Sequence, residues 1–162
     1  MAINTDYKGV EDGILPCITG GTYTYVAGRA VYIQTDGKLA SPVADKRVLG
    51  LIKESVISGV VDEIGGKSGI YGSGKATVVL GGVCTVRQSV YNGTSYSAYN
   101  EALTYVAGDE LYATAATGIL TNSQPSGTGP NGITSLRVGR VLTPPSNAAN
   151  GDPMVITVGG LN

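Results

Sequence analysis

The 162-residue sequence has no histidine, no tryptophan and no phenylalanine, and only two cysteines. Without histidine there is no Ser-His-Asp triad, no Cys-His pair and no His-ligated zinc. Charge is scarce as well: 14% of residues are charged, against roughly 25% in an average soluble domain. The 11 basic and 12 acidic side chains nearly cancel, to a net −1. A phosphate-reading protein would show a basic patch, so no nucleic-acid partner is expected. No run of about 18 apolar residues occurs, so no membrane-spanning segment is expected either. The start, Met1 to Tyr7, has neither a basic n-region nor an apolar h-region and does not read as a secretory signal. Cys17 and Cys84 allow at most one bridge, too few for a secreted disulfide scaffold. Both read as thiols packed like small hydrophobes, Cys84 inside the strand-like run Val83 to Val86.

What is present favours strands. There are 18 Val, 16 Thr and 10 Tyr, all strand-favouring types, and 25 Gly with 7 Pro to punctuate them. Hydrophobic residues make up 42%, enough for a core, so a disordered chain is excluded. Ala30 to Thr35 reads as a strand that meets Asp36-Gly37, a pair suited to a type I′ turn. Arg47 to Ile52, Ala76 to Leu80, Val83 to Val86, Leu136 to Leu142 and Met154 to Val158 follow in the same style. Asn92-Gly93, Asn131-Gly132 and Asn150-Gly151 mark turns between them. Asp45 to Ile64 has helical charge spacing, but Gly50, Gly59 and four β-branched residues make it strands with turns. Ser97 to Leu103 has room for one short helical turn.

The chain also repeats itself. Thr24-Tyr25-Val26-Ala27-Gly28 recurs letter for letter as Thr104-Tyr105-Val106-Ala107-Gly108. Val31-Tyr32 then matches Leu111-Tyr112, and a turn with Gly follows at Gly37 and Gly118. Gly-centred strands come next, around Gly50 and Gly139, and each copy closes on an apolar strand with a Gly pair, Gly81-Gly82 and Gly159-Gly160. A repeated order of elements indicates two related β units. The expectation is an all-β chain with two small barrel or sandwich units, 21–90 and 91–162. Met1 to Gly20 has poor sheet character and reads as an extended N-terminal arm, 1–20. The Gly inside each second strand suits a bulge, a bend or a close backbone approach.

Several motifs carry chemistry by letter only. Gly69 to Lys75 nearly matches a phosphate-binding loop, but Ala76 stands where Ser or Thr would hold magnesium, and a strand follows where a helix is needed. Gly127 to Gly132 fits G-x-G-x-x-G without the flanking strand and helix. Asn92-Gly93-Thr94 is a glycosylation sequon that reads better as a turn. Asp62-Glu63 and Asp109-Glu110 are adjacent, so on a strand they point to opposite faces and form no acid/base dyad. The tyrosines could line a sugar-binding face. Their matched places, Tyr25 with Tyr105 and Tyr32 with Tyr112, favour packing. No catalytic, cofactor or metal site is assigned, and no enzyme is expected.

One resemblance emerges from these residues. Val26-Ala27-Gly28 with Val31-Tyr32, Asp36 to Leu39, Val48-Leu49-Gly50, Val106 to Tyr112, Gly118 to Leu120, Leu136 to Val141 and Asn150 to Val155 carry it. The chain resembles the capsid decoration, or cement, proteins of tailed double-stranded-DNA bacteriophages. The resemblance covers Tyr23 to Leu51 and Thr104 to Gly160, and the first copy departs from the pattern at Arg29, where the second has Asp109. It implies a structural protein of the virion, made in the host cytoplasm. Such a protein binds the outer capsid surface and bridges major capsid protein subunits, often as a homotrimer. On that reading the apolar arm residues Ile3, Tyr7, Val10, Ile14 and Leu15 are capsid contacts. A carbohydrate- or receptor-binding β-sandwich stays open as an alternative, as does a tail-tube or head-closure subunit.

Overall fold

The computed structural model describes residues 11–16, 24–44, 46–53, 55–57, 75–91, 93–125 and 136–159. These residues contain no α-helix, and the fold is all-β. The first half holds β1 (Glu11–Pro16), β2 (Thr24–Tyr25), β3 (Ala30–Ile33), β4 (Leu39–Ala40), β5 (Gly50–Ile52) and β6 (Val56–Ile57). It leads into the long strand β7 (Lys75–Val86). The second half holds β8 (Ser89–Tyr91), β9 (Thr94–Tyr96), β10 (Glu110–Ala113), β11 (Leu120–Thr121), β12 (Arg137–Thr143) and β13 (Met154–Val158). One curled antiparallel sheet runs β11-β10-β12-β13-β7-β5-β3-β4, with β1 also on β7. Two short ladders, β2 with β6 and β8 with β9, stand apart from it.

Pairing in the two halves proceeds by the same steps. Val31 faces Gly50, and Leu111 faces Gly139. Leu51 faces Val79, and Arg140 faces Thr157. Ile33 faces Leu39, and Ala113 faces Leu120. The turns before β3 and β10 also hang on like bonds: Gly28 N donates to Ile52 O and Gly108 N to Val141 O, both at 2.8 Å. Ile52 N and Val141 N return the bond to Arg29 O and Asp109 O, both at 2.9 Å. Close approach explains the two strand glycines. A Cβ at Gly50 would fall on the Val79 carbonyl oxygen, and one at Gly139 on that of Thr157.

Buried side chains fall into two clusters. The smaller holds Tyr25, Val31, Leu39, Ile52, Ala76 and Val78. The larger holds, at the corresponding steps, Tyr105, Leu111, Leu120, Val141, Met154 and Ile156. It also takes in Ala30, Leu51 and Val79, from the opposite face of the first half's strands. Strand β7 makes this possible. Val79 and Cys84 are five apart, a spacing that puts side chains on opposite faces of a regular strand. Both lie in the larger cluster, so the strand rolls over between them, where Gly82 has φ 102°. Cys84 is buried there, as its run suggests.

The halves also interlock directly. Ala30 N donates to Gly118 O at 2.8 Å, and Ala116 N to Pro42 O at 2.7 Å. Gly118, at φ 71°, sits so close to β3 that a Cβ would strike the Ala30 carbonyl oxygen.

Three local expectations change. Glu11–Pro16, inside the expected arm, is a strand paired along Lys75 to Gly81. Asp12 and Gly13 are poor strand formers, but the ladder is made by backbone groups and the edge of β7 supplies the partner. The turn at Asp36-Gly37 is not type I′, which needs positive φ at both central residues. Gly37 has φ 80° and Asp36 is not among the positive-φ residues. Instead Asp36 Oδ1 accepts from Lys38 N at 3.1 Å, and a three-residue loop closes between Gln34 and Lys38. Third, Ser97 to Leu103 contains no helix. Asn100 Oδ1 accepts from Ala102 N at 3.1 Å and bends the chain, while Tyr99 bridges to Leu120.

Candidate functional site

The outward face of the second half carries most of the described charge contacts. Glu110 on β10 faces Arg140 on β12, and Tyr112 faces Arg137 after a register shift. That shift brings both guanidinium groups to one carboxylate. Arg137 Nη2 lies 2.5 Å and Arg140 Nη2 3.1 Å from Glu110 Oε1. The Tyr112 hydroxyl donates to Glu110 Oε2 at 2.8 Å. This hydroxyl first, then Arg140 and Arg137, holds the Glu110 carboxyl below the usual carboxylate range. Burial, then Glu110 itself, pushes the Tyr112 phenol up. On β13, Thr157 Oγ1 accepts from Arg140 N at 3.0 Å. The cluster is a fixed, ionised acceptor ringed by donors. It suits a polar contact surface better than a proton-transfer site.

Beside it lies the repeated turn. Val106 is 58% exposed and Leu142, next to the Val141 carbonyl that receives Gly108 N, is 45% exposed. Asp109 holds this turn from within. Its Oδ2 accepts from Val106 N at 2.9 Å and from Asn122 Nδ2 at 2.8 Å, and Asn122 also donates to Thr104 O at 2.8 Å. Arg29, at the same place in the first half, reaches the other way: its Nε donates to Ser97 O at 2.8 Å. Burial pulls the Arg29 guanidinium below its ordinary value.

Four tyrosines serve structure: Tyr25, Tyr99, Tyr105 and Tyr112. Tyr25 OH donates to Leu39 O at 2.7 Å, and Tyr105 OH to Asn100 O at 3.0 Å. Tyr99 meets Tyr105 edge to face at 5.5 Å and donates to Asp152 O at 2.6 Å. Tyr25, Tyr99, Tyr105 and Tyr112 are buried, and no face gathers their rings toward solvent. Asp109, just before β10, and Glu110, its first residue, serve separate partners. Among the described residues no group of three His, Cys, Asp or Glu side chains is placed to hold a metal ion.

Of the expected contact residues, Ile14 stands opposite Thr77 and Leu15 opposite Ala76 on β1. Ile3, Tyr7 and Val10 lie outside the described residues, as do Cys17, Asp62, Glu63, Gly69 and the Gly127 to Gly132 run. A strand does follow Lys75, where a phosphate-binding loop would need a helix. Sequence reading missed the Glu110–Arg137–Arg140 cluster, because its members lie 27 and 30 residues apart and meet only through the β10–β12 register. No family model matches the chain, and no curated protein or solved structure shows significant similarity to it.

Proposed function

We propose that the protein is a non-enzymatic phage head decoration protein. It binds the outer capsid surface and bridges major capsid protein subunits. Its chain is two copies of one β unit, and its partners are the capsid and other copies of itself. The observation that carries this reading is the coincidence of resemblance and frame. The residues that carry the resemblance are those that build both halves: the Val26 and Val106 turns, the Gly50 and Gly139 strands, and the Gly151-Asp152 entry to β13. Gly151, at φ 67°, ends the short 3-10 turn Ala148–Asn150, and Asp152 Oδ2 accepts from Asn147 N at 3.0 Å.

The unit includes β1. Leu15 and Ile14 face Ala76 and Thr77 just as Val86 and Thr85 face Met154 and Val155. On this reading the first unit is taken to begin at β1 and the second at the end of β7, which leaves residues 1–10, with Ile3, Tyr7 and Val10, as the proposed contact arm. A sugar-binding reading needs exposed clustered tyrosines, and the buried ones supply no support for it.

The test is co-sedimentation of the full chain with undecorated heads. Saturable binding and a rise in the temperature at which the heads break are expected. Deleting residues 2–10 leaves β1 in place and is expected to weaken binding. No binding to heads would overturn the reading. Ring-forming assembly in its absence would favour a tail-tube or head-closure subunit, and a glycan-array signal a carbohydrate-binding one.

A further inference from the structure

We infer that the outward face of the second half, centred on Arg140, seats a carboxylate side chain of the capsid surface. This contact rests on the capsid reading and adds to it a face and a chemistry. Two guanidinium groups meet one carboxylate here, so one positive charge is left over within the cluster. Asp109, the neighbour of Glu110 in sequence, is already taken by the Val106 N–H and Asn122. Acceptors are short as well. Arg137 Nε is buried with no hydrogen-bond partner among the described residues. The Arg140 side chain has no described partner except Glu110.

Place and surroundings suit docking. The Arg140 side chain is the more exposed of the two, 48% against 26% for Arg137. Leu142, two residues further along β12, is exposed too, and Val141 between them is buried. Arg140 and Leu142 therefore share the outward face. A partner seated on the leucine shuts out water and strengthens the ion pair beside it. The guanidinium is already steadied by Glu110 at Nη2, and its remaining N–H groups can meet a carboxylate as a fork. The second arginine repels a cation, and Glu110 itself shows that a carboxylate fits this pair. An incoming carboxylate that takes Arg140 leaves Glu110 to Arg137 and Tyr112. The first half offers no such site: Ala30 and Leu51 stand at these steps, inside the larger cluster.

Binding of the full chain to undecorated heads, measured by co-sedimentation over a range of salt, tests it. Parent binding is expected to weaken as salt rises. Arg140→Gln is expected to weaken it at least about tenfold at low salt and to flatten the salt dependence. The thermal midpoint of this variant should stay near the parent's, since exposed ion pairs add little stability. Arg140→Lys keeps the charge and loses the fork, so its affinity should fall between the two. With Arg140→Lys, a carbodiimide should form an amide between position 140 and an Asp or Glu of the major capsid protein, mapped by mass spectrometry. Head binding that Arg140→Gln leaves unchanged would overturn the inference and leave the capsid reading standing. So would a link from position 140 only to another copy of the chain. A parent chain that does not bind heads would overturn both.

Discussion

Ala30 and Glu110 occupy the same step of the same kind of strand. One faces Leu51 and the other Arg140. The backbones around them agree in partner and in hydrogen bond, yet the first pair lies inside the larger cluster and the second faces water. The sheet's frame is therefore indifferent to what its outward face carries. That face is apolar in the first half because the second half covers it, and charged in the second because no described residue covers it. Strand residues are chosen by the neighbour above them as much as by the ladder they join. The same contrast governs the turns: Arg29 reaches out to the other half, while Asp109 reaches in to brace its own.

The largest expected effect comes from exchanging these faces. Leu51→Arg puts an unpaired charge into the larger cluster and should cost about 4 kcal/mol or more. Arg140→Leu, at the matching step, should change stability by no more than about 1 kcal/mol. Urea unfolding of both variants checks this, and equal losses would break the comparison. Next come the strand glycines. Gly50→Ala and Gly139→Ala each drive a methyl into a carbonyl oxygen, so losses of about 3 kcal/mol are expected in both halves. A large loss in one and none in the other would show that the shared frame is not shared in rigidity.

The loop glycines should separate the halves again. Gly37 has open space around it, so Gly37→Ala meets only the strain of positive φ, about 1 kcal/mol. Gly118→Ala adds a collision with β3 and should cost about twice that or more. The last effect is alkaline. Burial, then Glu101 and Asp152, pushes the Tyr99 phenol up to about 12, and burial also raises Tyr105. The folded state keeps these protons longer than the unfolded chain, whose tyrosines titrate near about 10. Above that pH the unfolded state binds fewer protons, so stability should fall between about 10 and about 12. Denaturant titrations across this window should show the slope, and Tyr99→Phe should flatten part of it. A flat profile in the parent chain would remove this asymmetry.

Much of the frame was legible in the sequence. Apolar runs rich in Val, Leu and Ile marked β3, β5, β12 and β13, and the repeated pentapeptide marked the turns before β3 and β10. Gly50 and Gly139 were readable as sites of a bulge, a bend or a close approach, and the ladders make them the last of these. What escaped depended on register. β1 was invisible because Asp12 and Gly13 carry no strand signal, and the decision lay with a distant edge, Lys75 to Gly81. The Glu110 cluster needed a one-residue register shift between Leu111 and Tyr112, which nothing local announces. Asp36-Gly37 misled in the turn's type, since the Asp36 carboxylate preferred a bond to Lys38 N.

Strand β7 has one more consequence. Its twelve residues run without a break from one half to the other, about 40 Å of extended chain at the usual rise. It is laddered to β1 and β5 along its first part and to β13 along its last. A tether would let the halves swing, but this strand works as a splint. Warming cannot part the two cores without unzipping ladders in both, so the chain should melt once, not twice. The splint also makes the separation between the halves a fixed length, a built-in ruler for whatever surface the chain is laid on.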